Sequence, residues 1–209
     1  MKSLILIAVF LISTQICYAQ ENALEGKITD VEYSVYSSLF DKLPTITKQT
    51  PHLVYFKNIV LMNKTSLGGS GIGKPSPEEI TDALKQKFPG DIDLELVNRF
   101  IILNRKPLKI DKKIHLSAAQ VYLYSGKELN KILNNDSDDF KVYWRNFHNH
   151  FPDASIVDLS RVALSKDGKG ALVYFSYERD NLWGAGYYVL LAEGKDGWEI
   201  IAIGCGWVS

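Results

Sequence analysis

Cysteine and a charge imbalance are what this sequence most clearly lacks. Its 209 residues include only two cysteines, and 24 Lys and Arg residues balance 24 Asp and Glu residues. The absence of a basic excess argues against a nucleic-acid-binding protein, which normally carries a positive patch or stripe. Two cysteines are too few for a disulfide framework, but a chain of this length buries a core large enough to fold without one.

Long apolar runs are also missing, and the longest one stands at the N-terminus. The run Leu4–Ile12 is too short to span a membrane, follows a single basic residue and precedes small residues that end at Ala19. This order is typical of a signal peptide. We expect residues 1–19 to be cleaved and residues 20–209 to form one exported domain, periplasmic or secreted, with no membrane span.

The two cysteines have different expected fates. Cys17 is removed with the signal peptide, and Ile16 before it does not fit the small residue that a lipid-attachment signal requires. Cys205 is then the only thiol and lies in an apolar run. We expect it to be buried rather than to be a nucleophile, because no neighbouring base is apparent.

Capping patterns and apolar spacing predict the helices. Ser76 and Ser125 each stand three residues before a Glu, which is the spacing of a capping box, and residues 94–103 fit either a helix or a strand. Helices are predicted at 27–42, 76–88, 125–133 and 140–151, and strands at 52–62 and 113–124.

The C-terminal quarter shows the clearest strand pattern. Strands are predicted at 156–165, 170–178, 185–193 and 198–207, and Asp-Gly pairs mark two of the hairpin turns. The fold class is therefore α+β, with helices packed on a C-terminal four-stranded antiparallel meander and an additional N-terminal strand-helix portion.

Alternation along these strands assigns side chains to two faces. One face carries Val157, Leu159, Arg161, Ala163, Val173, Phe175, Tyr177, Tyr187, Val189, Leu191, Trp198, Ile200 and Ala202. The other carries Ser160, Val162, Tyr174, Ser176, Tyr188, Leu190, Ile201, Ile203 and Cys205. Both faces are substantially apolar, so one is expected to be covered by helices. The other requires a further layer, a partner or a ligand cavity.

Three segments resemble functional motifs but are better explained without them. The segment 68–74 fits a phosphate-binding loop, but Pro75 replaces the required Ser or Thr, and Ile72 breaks the serine-hydrolase elbow around Ser70. The histidines at 148 and 150 suit a solvated helix end better than a metal site. The acidic segment 136–139 suits a helix cap better than a calcium loop. We therefore expect no metal and no cofactor.

The C-terminal third also carries a resemblance. The segments SRV at 160–162, ALVY at 171–174, GAGYYVLL at 184–191 and WEIIAIGCGWVS at 198–209 resemble small exported bacterial proteins of unknown function. The helix before an antiparallel meander is similar to cystatin-like and nuclear-transport-factor-like cone folds. Such folds host binders, inhibitors and enzymes, so the resemblance implies a fold and no activity.

These observations lead to three functional hypotheses. The first is a non-catalytic binding or interaction module of the cell envelope, with a protein or small-molecule partner contacted by Arg161, Tyr177, Trp183 and Tyr187. The second is a secreted or periplasmic hydrolase that uses a His near 148–150 and a carboxylate. The third is a homodimer that buries the second sheet face. The sequence leaves open whether the protein is an enzyme.

Overall fold

A computed structural model describes residues 26–46, 57–69, 74–111, 114–117, 119–133, 139–180 and 183–209. The predicted signal peptide lies outside these residues. The described helices are α1 (Asp30–Ile46), α2 (Pro77–Lys85), α3 (Leu94–Leu103), α4 (Gly126–Ile132) and α5 (Phe140–His150). The strands are β1 (Asn58–Met62), β2 (Gln120–Tyr124), β3 (Ala154–Leu159), β4 (Ala163–Leu164), β5 (Gly170–Asp180), β6 (Trp183–Gly194) and β7 (Gly197–Val208).

One mixed sheet joins all seven strands. Its order is β2-β1-β3-β5-β6-β7, with β4 paired to β5. Strand β1 lies parallel to both β2 and β3, whereas the pairs β3–β5, β5–β6 and β6–β7 are antiparallel. The α+β class and the C-terminal antiparallel meander are thus confirmed, and the N-terminal strands extend the same sheet.

Side-chain caps set the beginnings of the helices. The capping boxes predicted at Ser76 and Ser125 are both formed, with Glu79 and Glu128 as their acidic members. Asp93 caps α3, which settles the ambiguous segment 94–103 as a helix. The segment 136–138 lies outside the described residues. The last residue of that pattern, Asp139, caps α5 as expected.

Helices of the chain itself cover both faces of the sheet. Helix α1 packs on one face, in a core that includes Val157, Phe175 and Trp198. On the opposite face α2 and α3 cover a cluster with Leu172 and Tyr188. Helices α4 and α5 cover β1 and β3 on that same face. The further layer is therefore part of this chain, and the apolar face that motivated a homodimer is already buried.

Two irregularities overturn part of the predicted register. Leu190 pairs with Ala202 but Leu191 pairs with Ile200, so Ile201 is an extra residue in β7. Such a bulge inverts the alternation, and Ala202 therefore faces α2 while Ile203 faces α1, opposite to the expectation. The strand predicted at 156–165 is likewise interrupted at 160–162, which exchanges the faces of Val162 and Ala163.

Candidate functional site

Arg161, the first predicted contact residue, forms a structural ion pair. Its side chain is 2% exposed, and its Nε and Nη2 donate to the two carboxylate oxygens of Glu32 at 3.1 and 3.0 Å. Its backbone N–H donates to Asn104 Oδ1 at 2.7 Å. The segment 160–162 between β3 and β4 is thus bonded both to α1 and to the end of α3. A guanidinium that is paired inside the protein is not available to an anionic ligand.

The other three predicted contact residues do not join Arg161 in one site. Tyr177 and Tyr187 are buried in the core under α1. Burial raises the pKa of both phenols. Trp183 is 51% exposed at the tip of the β5–β6 hairpin, where the guanidinium carbon of Arg179 lies 5.5 Å from the ring centroid. Ser160, next to Arg161, is bonded to Tyr174 of β5. Trp183 lies opposite Asp180, six residues further along β5, so about 20 Å separates Trp183 from the position of Ser160.

The histidine pair shows structural contacts. The His148 ring stacks on Trp144 at 5.9 Å between centroids, and Nδ1 of His150 lies 3.0 Å from the Asn146 carbonyl oxygen. Within the described ranges, no three His, Cys, Asp or Glu side chains are grouped as metal ligands. Neither histidine forms an ion pair with a carboxylate of the described residues, and the His/carboxylate pair stays a prediction.

A cleft of about 540 Å³ lies elsewhere, on the face covered by α2. One wall is α2, which presents Glu79, Asp82 and Gln86 at the spacing of one helix side. The floor is the end of the sheet, with the aromatic rings of Tyr188 and Trp207. Gly69 and Lys74 border the cleft, while Ser70 and the rest of the glycine-rich loop, 71–73, lie outside the described residues.

Gly204 determines where this wall stands. A Cβ atom at position 204 would lie 2.3 Å from the backbone carbonyl carbon of Ala83. Only glycine therefore permits α2 to rest directly on β7. Because α2 lies this close to β7, the side chains on the flank of α2 border the cleft.

Trp207 is held in a fixed position at the floor. Its indole Nε1 donates to the Tyr174 hydroxyl at 2.6 Å. A Cβ atom at position 186 would lie 2.1 Å from that hydroxyl and 2.2 Å from the indole nitrogen, so Gly186 provides the space for this bond. An aromatic ring fixed in this way can contact a ligand without losing rotamer freedom.

The charged side chains of the cleft differ in whether they have a partner among the described residues. Glu79 accepts a hydrogen bond from the Ser76 backbone N–H at 2.7 Å and so completes the helix cap. Lys74 and Asp82, in contrast, form no ion pair or side-chain hydrogen bond with any residue in the described ranges. Among the described residues, the cleft thus presents one ammonium group and one carboxylate without a partner.

Cys205 borders the same cleft and is half-buried, which is less than the sequence led us to expect. Its Sγ donates to the Trp207 carbonyl oxygen at 3.6 Å. Burial raises the pKa of the thiol. The group is therefore protonated at neutral pH, and the cleft lacks the thiolate that nucleophilic chemistry needs.

A second polar feature lies on the same face of the sheet, between the two pairs of helices. Asp158 of β3 is opposite Ser176 of β5, and Glu178 follows one step along that face. Burial, and then the Glu178 carboxylate, raise the pKa of Asp158 to about 6. No described residue donates a hydrogen bond that would offset this. Burial and Glu178 also raise the pKa of Tyr143, which places α5 at the border of this acidic strip.

The sequence offered only partial signals for these features. Polar residues at alternate positions, Asp158 in one strand and Ser176 and Glu178 in another, stand on a face that is otherwise apolar, and this could have marked the strip. The cleft had no comparable signal, because it joins α2 to a strand more than a hundred residues later.

Comparison with known proteins does not identify a family for this chain. No family model, no curated protein and no solved structure matches the chain. The resemblances to exported bacterial proteins and to cone folds stay predictions. In the part of the chain that is described, no helix is both long and apolar enough to cross a membrane.

Proposed function

We propose that this protein is an exported, non-catalytic binding protein of the cell envelope, and that the cleft beside α2 binds a small polar ligand. One observation carries the proposal. A cleft of about 540 Å³ presents charged side chains, Lys74 and Asp82, that have no partner among the described residues. Ligand sites of roughly 300–1,000 Å³ with apolar walls and a few converging polar groups are typical of proteins.

The remaining features of the cleft support binding rather than reaction. Trp207 and Tyr188 offer aromatic surface, and the Gln86 amide offers both a donor and an acceptor. The Cys205 thiol stays protonated at neutral pH because burial raises its pKa. These groups can select a ligand by shape and hydrogen bonding, and none of them is an activated nucleophile.

The proposed location rests on the N-terminal pattern of the sequence. A short apolar run before Ala19 predicts export and cleavage. Expression of the full chain in a bacterial host, followed by N-terminal sequencing of the periplasmic fraction, should give a protein that begins at Gln20. An uncut chain in the cytoplasm would contradict export.

A ligand screen on residues 20–209 tests the binding proposal. The probes are amino acids, dipeptides, sugars, polyamines and nucleosides at millimolar concentration, and the readout is the shift of the melting temperature. Trp207→Leu and Gln86→Ala should each abolish the shift produced by an active probe, measured from each variant's own ligand-free value. Trp183→Leu is the matched control, because this Trp lies at the exposed hairpin tip. No active probe, or equal shifts in all variants, would refute the proposal.

A hydrolase is the second candidate, and the acidic strip is the observation that favours it. Asp158 has a pKa of about 6, and Glu178 lies next to it on the same face. A carboxyl group whose pKa is raised to about 6, beside a second carboxyl group, is the pattern of a general acid with a base or nucleophile. The pair replaces the histidine of the sequence-based hypothesis. Hydrolysis of chromogenic glycosides or esters that is lost in both Asp158→Asn and Glu178→Gln would establish it.

A further inference from the structure

The charges of the cleft are ordered along α2. Lys74 lies two residues before the cap residue Ser76, at the start of the helix. Asp82 lies six residues after that cap, which is about 9 Å along the helix axis. Gln86 follows one turn later on the same side. The cleft therefore has a positive end and, further along the same wall, a negative position.

Both charges need partners when a ligand displaces water from the cleft. Glu79, between them, gives one carboxylate oxygen to the cap hydrogen bond, whereas Asp82 forms no ion pair or side-chain hydrogen bond with any described residue. Lys74 and Asp82 are exposed side chains that water solvates in the absence of a ligand, and a ligand with a single charge replaces that water by an ion pair at one end only. A zwitterion satisfies both ends at once, and each contact is a charge-assisted hydrogen bond.

The spacing of the two residues along α2 indicates the size of the zwitterion. Two residues in extended conformation span about 7 Å, and the flexible Lys74 side chain can cover the remaining separation. A dipeptide thus fits the spacing better than a single amino acid. The Trp207 ring can pack against an apolar side chain of the peptide.

We propose that the cleft binds a short zwitterionic peptide, with the peptide carboxylate at Lys74 and the peptide ammonium group at Asp82. This inference rests on the proposed function, because it names the ligand class of the same cleft. It assigns opposite ends of the peptide to two residues that can be changed separately.

Calorimetric titration of residues 20–209 tests the assignment. The probes are Ala-Ala, Ala-Leu and Ala-Phe, each in free, N-acetylated and C-amidated form. At least one free dipeptide should bind, and its acetylated and amidated forms should bind about tenfold more weakly or worse. Lys74→Gln should bind the free and amidated forms equally, and Asp82→Asn should bind the free and acetylated forms equally. Lys85→Gln and Glu78→Gln, on exposed positions of α2 outside the cleft, should leave all affinities unchanged.

The outcomes separate this inference from the proposed function. Equal affinity for free, acetylated and amidated peptides would overturn the zwitterion assignment and leave binding in the cleft intact. Failure of every dipeptide to bind would also overturn it, and the function would stand if another probe shows the Trp207-dependent shift. The proposed orientation would be overturned if Asp82→Asn, and not Lys74→Gln, lost the preference for the free over the amidated peptide.

Discussion

Replacement of Glu32 by Gln should be one of the most damaging single changes in this protein. Glu32 Oε2 accepts from the Thr29 backbone N–H at 2.8 Å and from Arg161 Nη2 at 3.0 Å. Its Oε1 accepts from Arg161 Nε at 3.1 Å and from the Val162 backbone N–H at 3.2 Å. Both partners of the ion pair are 2% exposed, so water cannot replace the lost contacts.

The expected cost follows from leaving a buried charge without its partner. Breaking a buried ion pair by removing one member typically costs about 3–5 kcal/mol. For a domain of this size a loss of 1 kcal/mol lowers the melting temperature by about 2–4 °C, so a decrease of about 6–20 °C is expected. Equilibrium urea unfolding of residues 20–209 measures the free energy directly.

Further variants make the test specific. Glu32→Met and Arg161→Met should each destabilise, whereas the double variant Glu32→Met/Arg161→Met should lose clearly less than the sum of these two single changes, because it leaves no unpaired charge. Glu199→Gln is the surface control, since Glu199 pairs with Lys42 in a partly exposed position and should cost less than about 1 kcal/mol. A loss below about 1 kcal/mol in Glu32→Gln, or additive single effects, would refute the reasoning.

Two other predictions concern the sheet face that carries the cleft. The folded-state pKa of Asp158, about 6, exceeds the usual 3.8, so the folded protein binds more protons and stability falls as pH rises from about 4 to 6. Asp158→Asn should remove this dependence and stabilise the protein above pH 6 by up to about 3 kcal/mol in urea unfolding. An unchanged pH profile would contradict it. Gly204→Ala should destabilise by about 1–3 kcal/mol, since the new methyl group meets the Ala83 backbone. Gly126→Ala, whose Cβ has Met62 at 3.6 Å as its nearest neighbour among the described residues, should be neutral or stabilising in the same assay.

Local signals in the sequence predicted most elements of this fold. The capping boxes at Ser76 and Ser125 depend on residues three positions apart, and the Asp-Gly turns depend on adjacent residues. The sequence alone is enough to recognise such patterns. The four antiparallel C-terminal strands followed from alternation and turns in the same way.

Features that depend on distant residues could not be predicted. The partner of Arg161 lies 129 positions earlier in the chain, so the pattern around Arg161 could not identify Glu32 as that partner. The bulge at Ile201 inverts the faces of β7 without any glycine or proline to mark it. The contact of α2 with Gly204 also joins segments more than a hundred residues apart, and the cleft depends on it.

The distribution of partnered and unpartnered charges indicates where function should be sought. Charges that stabilise the fold have their partners inside it, as Glu32 and Arg161 do. Lys74 and Asp82 have none in the described ranges, and ionisation of Asp158 lowers stability at neutral pH. Groups that a fold does not need, or keeps at a cost, are expected at functional sites. All three lie on the side of the sheet covered by α2 and α5, and this side is therefore the one to test first.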